Sequence, residues 1–157
     1  MTKIKELRLQ NNLTQEHCAK LLGISLRSYK TYENDESKTN SIKYKYLLET
    51  LEKHCTITED NGVLTLDFIS KTCNNILKEY NVEFCYLFGS YAKGSATDSS
   101  DVDLLISLFE NGLKYSEMLE KLRESLHKKV DLLSLEQLKN NPELTNEILK
   151  TGVKIYG

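Results

Sequence analysis

What this sequence does not contain narrows it first. No stretch approaches the ~20 consecutive apolar residues that cross a bilayer, and no charged start leads into a long apolar run, so a soluble, cytoplasmic protein is expected. The four cysteines, Cys18, Cys55, Cys73 and Cys85, form no Cys-x-x-Cys or Cys/His pattern. That spacing argues against a zinc site and leaves buried, reduced thiols as the expectation. Internal repeats and low-complexity tracts are absent, which sets aside solenoids and disordered tails. A strong net charge is absent too: the formal total is −2.

That near-neutral total hides an asymmetry. Residues 1–55 carry ten Lys or Arg against seven Asp or Glu, whereas 56–157 carry eleven against sixteen. A mildly basic front permits contact with phosphates but falls short of a footprint that would by itself indicate nucleic acid. With 157 residues and 39% hydrophobic content, the chain can build one ordinary core or two small ones.

The pattern changes along the chain. From Thr2 to Leu51 apolar residues recur at three and four: Ile4 and Leu7, Cys18, Ala19 and Leu22, Tyr29 and Tyr32, Leu47, Leu48 and Leu51. This is helical periodicity with no strand. Glu52 to Gly62 is polar and ends in the turn signal Asp60-Asn61-Gly62, which places the domain junction there, with one domain over 1–55 and another over 62–157. A helix is then predicted over 66–80. Strands are predicted over 82–88, 101–108 and 129–133, with helices near 115–127 and 142–150 between and after them. The expected architecture is an all-α bundle followed by an α+β domain with a small mixed sheet covered by helices.

In the front domain Thr14 is placed to cap a helix beginning Gln15-Glu16-His17, which ends at Gly23, a residue suited to a left-handed C-terminal position. Ser25 can cap the next helix, running to about Asn34. Two short helices joined by Gly23-Ile24-Ser25 make a helix-turn-helix, with Ala19 giving a small side chain at the crossing and Ile24 and Tyr29 turned inward. Leu26, Arg27, Lys30 and Thr31 then face out. Arg27 and Thr31 are candidates for base edges in a major groove, and Gln15, Ser25 and Lys30 for contacts beside them. The competing reading is a small bundle that binds protein or only dimerises.

The back domain carries the chemistry. An apolar strand runs into Gly89-Ser90, a Gly94-interrupted turn or helix follows, and a second strand opens with Asp101-Val102-Asp103. Strand alternation puts the carboxylates of Asp101 and Asp103 on one face while Val102 turns into the core. Two adjacent like charges repel, and a hard divalent cation removes that cost while bridging to nucleotide phosphates, so magnesium is the expected ion. Gly89 permits close backbone approach to a ligand, and Ser90, at a helix start, offers N–H and hydroxyl groups to phosphate oxygens. Lys93 is a candidate for charge neutralisation. Asp131, in an apolar run where a lone charge is costly, is the candidate third metal-facing carboxylate and general base. Asp98, Ser99 and Ser100 read as turn formers.

Both halves resemble known families. Thr14 to Ser25, followed by Tyr32-Glu33-Asn34, resembles the Cro/repressor-like (XRE) helix-turn-helix domains over about 50 residues; Asp35 stands where that family usually has Gly, and Leu26 where it often has a polar base-reading residue. Gly89-Ser90, ten intervening residues and Asp101-Val102-Asp103, with Asp131, resemble the nucleotidyltransferases related to DNA polymerase β, and specifically their minimal (MNT) branch, from about Val63 to Gly157. That resemblance implies that Asp101, Asp103 and Asp131 bind Mg2+ and ATP and that Gly89 and Ser90 hold the nucleotide. It further implies an antitoxin that transfers AMP from ATP to a HEPN-domain toxin, while the fused front domain implies repression of its own operon, as a homodimer or a larger complex with the toxin. Three other readings stay open: a regulator whose site senses nucleotide without catalysis, an antitoxin acting by contact, and an aminoglycoside-like transferase acting on a small molecule. The last is the weaker expectation because no further substrate-binding domain follows Gly157.

Overall fold

The computed structural model describes residues 1–107 and 112–157 and divides into two compact units, Met1–Thr56 and Ile57–Gly157. In the first, α1 (Lys3–Gln10), α2 (Gln15–Leu21), α3 (Leu26–Asn34) and α4 (Ile42–Cys55) are separated by short turns, with one 3₁₀ turn over Glu36–Lys38. Each α-helix starts where a hydroxyl side chain, from Thr2, Thr14, Ser25 or Ser41, accepts a backbone N–H three residues on. Such a cap satisfies one of the orphan amides of a helix start and contributes about 1 kcal/mol. Gly23, at φ +64°, makes the left-handed turn between α2 and α3.

Ile4, Cys18, Ala19, Tyr29, Tyr44, Leu47 and Leu51 form this unit's core. One charge is buried in it: the Glu33 side chain is fully covered, with Arg8 Nε 2.7 Å from Oε1. Ala19 is 3% exposed at the α2–α3 crossing, where a larger side chain would push the helices apart.

The second unit runs α5 (Leu66–Leu77), β1 (Cys85–Phe88), α6 (Gly89–Lys93), β2 (Val102–Ile106), α7 (Gly112–Leu126), β3 (Val130–Ser134), α8 (Leu135–Leu138), α9 (Pro142–Thr151) and β4 (Val153–Tyr156). The sheet has the order β3-β2-β1-β4; β2 and β3 are parallel, the other pairs antiparallel. The mixed sheet is as expected, but among the described residues it has four strands rather than three. Residue 108, the last of the predicted second strand, lies outside the described residues.

Alternation along the strands sorts the two faces. Cys85, Leu87, Leu104, Ile106, Val130 and Leu132 join Ile69, Cys73 and Leu77 of α5 and Met118, Leu122 and Leu126 of α7 in the main core. Phe88 and Leu105 point to the other face, where they meet Leu138 and Ile148, with Leu144 and Leu133 alongside. Asp103 and Asp131 share parity with Leu105 and Leu133, so the second, thinner layer is the one that carries the carboxylates. Cys18, Cys73 and Cys85 are buried free thiols, and Cys55 is half-buried. No described helix is long and apolar enough to cross a membrane.

Candidate functional site

Asp103 sits second in β2 and is paired in register with Asp131 on the neighbouring parallel strand. Residues in register on parallel strands project from the same face, so the two carboxyls are neighbours. Asp101 lies one residue ahead of β2 and follows the same alternation. The electrostatics reflect this crowding: the Asp103 pKa is pushed up from 3.8 to about 6, first by burial, then by the charges of Asp131 and Asp101, and then by that of Glu147. Burial and the neighbouring carboxylates together outweigh the Lys93 charge that acts against them.

Gly89 closes the cluster from the β1 side. Its φ of +68° is left-handed, and a Cβ placed there would come within 2.9 Å of the Asp103 carboxylate carbon. Only glycine fits both the conformation and the space. α6 begins at Gly89, and Phe88, at its N-cap, has no side-chain acceptor for the first-turn amides. First-turn amides without a side-chain cap, in a helix that starts against Asp103, are groups suited to phosphate oxygens. Gly94 ends α6 in the left-handed conformation, at φ +72°.

The structure places Lys93 somewhat differently from the sequence expectation. Its ammonium lies 2.6 Å from Glu147 Oε1 on α9, with both side chains partly exposed. Lys93 still lowers the Asp103 pKa, so it remains within electrostatic reach of the cluster. Glu147 itself carried no sequence signal: it is one polar position in an amphipathic helix, and its role depends on α9 packing beside α6.

A divalent cation fits this donor set. Among the described residues no group of three His, Cys, Asp or Glu side chains, Asp101, Asp103 and Asp131 included, is brought close enough together to hold a metal ion. Magnesium does not require such a group, since it binds through one or two carboxylates together with substrate phosphates and water. Asp103 and Asp131, in register on adjacent strands, are the pair such a cation could use, and burial together with the charges of Asp131 and Asp101 raises the Asp103 pKa in its absence.

In the first unit, Leu26, Arg27, Lys30 and Thr31 line one shallow groove on the outer face of α3, while Tyr29 and Glu33 face in. Ser25 Oγ accepts the Ser28 amide as the helix cap. Thr31 Oγ1 donates to the Arg27 carbonyl. Gln15 is tied down: its amide donates to Glu33, the same carboxylate that Arg8 engages. Arg27 and Lys30 are thus the exposed cations of this face, and Gln15 is an internal link between α2 and α3.

Comparison with known proteins agrees with both units. Residues 71–157 match the model of the polymerase beta nucleotidyltransferase family, and residues 4–54 match a helix-turn-helix model. A protein described as a protein adenylyltransferase of Methanocaldococcus jannaschii is 40% identical over 70 residues, which cover 41% of this chain and 70% of that protein. The protein adenylyltransferase MntA of Thermococcus cleftensis is 36% identical over 85 residues, covering 50% of this chain and 86% of that protein. Among solved structures, a toxin–antitoxin complex with AMP-PNP aligns at 24% identity and a TM-score of 0.48 over 56% of this chain and 73% of that one. With a family match over more than half its length, this chain belongs to the polymerase beta-type nucleotidyltransferases and carries a helix-turn-helix unit ahead of its transferase domain.

Proposed function

We propose that this chain is an antitoxin-type protein adenylyltransferase, which transfers AMP from ATP to a HEPN-domain toxin, and that its first unit binds the operator DNA of its own operon. The observation that carries the enzymatic reading is the in-register pairing of Asp103 with Asp131 against the backbone of Gly89. The relatives described as protein adenylyltransferases support AMP as the transferred group.

Asp101, Asp103 and Asp131 would hold Mg2+, which when bound neutralises charge and polarises the α-phosphate. Gly89 and Ser90 present the first-turn amides of α6 to the triphosphate, and the Lys93 ammonium offsets part of its charge. Asp131, the most exposed of the paired carboxylates, accepts the proton of the attacking hydroxyl. The hydroxyl oxygen then bonds to the α-phosphorus, the bond from the α-phosphorus to the bridging oxygen breaks, and pyrophosphate leaves.

The test is direct. The purified chain, Mg2+, ATP and the product of the adjacent gene are mixed and the partner's mass is measured. An increase of one or more AMP units is expected, lost in Asp101→Asn with Asp103→Asn. ATP binding without any mass increase would instead support a site that senses nucleotide or an antitoxin that works by contact.

A further inference from the structure

Lys128 is 1% exposed, although a second lysine follows it before β3 begins at Val130. Its ammonium has no carboxylate within ion-pair distance among the described residues. It donates instead to three backbone carbonyls, those of Glu59 at 3.2 Å, Asn61 at 3.3 Å and Asp98. A buried ammonium is costly unless every proton is used, and three donors here meet three acceptors. Two of those acceptors belong to the turn over residues 58–61, closed by the Thr58–Asn61 bridge. The third belongs to the loop that delivers Asp101.

That loop is held at two points by adjacent residues of one segment. Asp98 is held by the Lys128 side chain, and the Val102 amide donates to the Lys129 carbonyl at 2.9 Å. Between them lie only Ser99, Ser100 and Asp101. Inside the loop, the Ser100 amide donates to the Thr97 carbonyl at 3.0 Å and the Thr97 amide to Ser100 Oγ at 2.8 Å. Two residues beyond Lys129 stands Asp131. The segment that carries the third carboxylate therefore also clamps the loop that carries the first.

We propose that Lys128 is a positioning residue, whose three carbonyl contacts fix the 97–101 loop so that Asp101 reaches the same cation as Asp103 and Asp131. The inference rests on the magnesium–nucleotide reading of the site given above. With its ammonium committed to three backbone carbonyls, Lys128 acts by restricting where Asp101 can go, as groups behind a metal's direct ligands commonly do.

Lys128→Met keeps the length and most of the volume of the side chain and removes the donors. Two measurements on the full chain follow. Amide hydrogen exchange of residues 97–102 in the absence of metal is expected to accelerate, with α7 unchanged. Binding of Mn2+ with a non-hydrolysable ATP analogue, read from the loss of the free-Mn2+ resonance signal, is expected to weaken by about tenfold to a hundredfold. A folded Lys128→Met chain with native exchange in 97–102 and native Mn2+–nucleotide affinity would overturn the proposal. If that variant does not fold, Lys128→Gln, which keeps two donors, takes its place. Failure of both to fold would assign Lys128 to the fold rather than the loop, and would also overturn it. A wild-type chain that takes up no Mn2+–nucleotide would refute the reading of the site itself, while the exchange measurement still decides whether Lys128 holds the loop.

Discussion

Asp103→Asn is expected to stabilise this protein in the absence of metal. The Asp103 pKa stands at about 6 in the folded chain against 3.8 for the free side chain. A carboxyl whose folded pKa is raised holds its proton more tightly when folded, so its ionisation opposes folding increasingly as pH climbs from about 4 to 6. Above that window the cost is constant, at most about 3 kcal/mol at pH 7, and it falls to about 1 kcal/mol at pH 4.5. Partial solvent access to the cluster reduces both figures, so about 1–3 kcal/mol is the expected gain for the neutral, isosteric Asn at pH 7. For a unit of about 100 residues each kcal/mol moves the melting temperature by roughly 4–8 °C. Calorimetry in EDTA should therefore show Asp103→Asn melting about 4–24 °C above wild type at pH 7 and much closer to it at pH 4.5. With Mg2+ and an ATP analogue saturating, the wild-type chain should recover the difference, because the ligands bind only its folded, ionised site. A variant no more stable than wild type at pH 7 in EDTA, or one with an equal gain at both pH values, would refute the charge-crowded cluster.

Other substitutions probe neighbouring features. Gly89→Ala should cost about 1 kcal/mol or more, from the positive φ alone, and should abolish the MgATP-induced rise in melting temperature, since the new methyl meets the Asp103 carboxylate. Glu147→Gln should change stability by less than about 1 kcal/mol, as expected for a partly exposed pair, yet tighten MgATP binding by calorimetry; weaker binding would mean that Glu147 holds Lys93 in its working position. Glu33→Gln should cost the first unit about 3 kcal/mol in chemical denaturation, because it leaves Arg8 facing a neutral, buried partner. Arg27→Ala with Lys30→Ala should remove salt-sensitive binding to the chain's own promoter, lowering the slope of log affinity against log salt by about 2; an unchanged slope would take α3 off the DNA.

Features that depend on neighbours in sequence were legible; those that depend on distant chain segments were not. The caps at Thr14 and Ser25, the left-handed Gly23 and the opposition of Tyr29 to Arg27 all follow from spacing within one or two helical turns. Asp101 and Asp103 share a face by strand alternation, whereas Asp131, read from the sequence as a costly charge in an apolar run, is in fact exposed on β3 and stands beside Asp103 only through the β2–β3 register. β4 was missed because Val153–Tyr156 follows α9 after only Gly152, and four residues are too few for a period of two to stand out. Gln15 looked like an outward contact because its partner, Glu33, is 18 residues away. Nothing in the sequence marks Lys128, since its acceptors lie 30 to 69 residues away.

The parallel pairing of β2 with β3 has a consequence for how this enzyme can change. Val130 and Leu132 are anchored in the main core opposite Val102 and Leu104, so sliding β3 by a single residue would drive Asp131 inward and eject two apolar side chains. The spacing of the acids is thus locked to the same packing that keeps the domain folded, and drift in one is paid for in the other. Adaptation to a new acceptor is left to the rim, where α9 and the outward side chains of α6 can vary without disturbing the strand alignment.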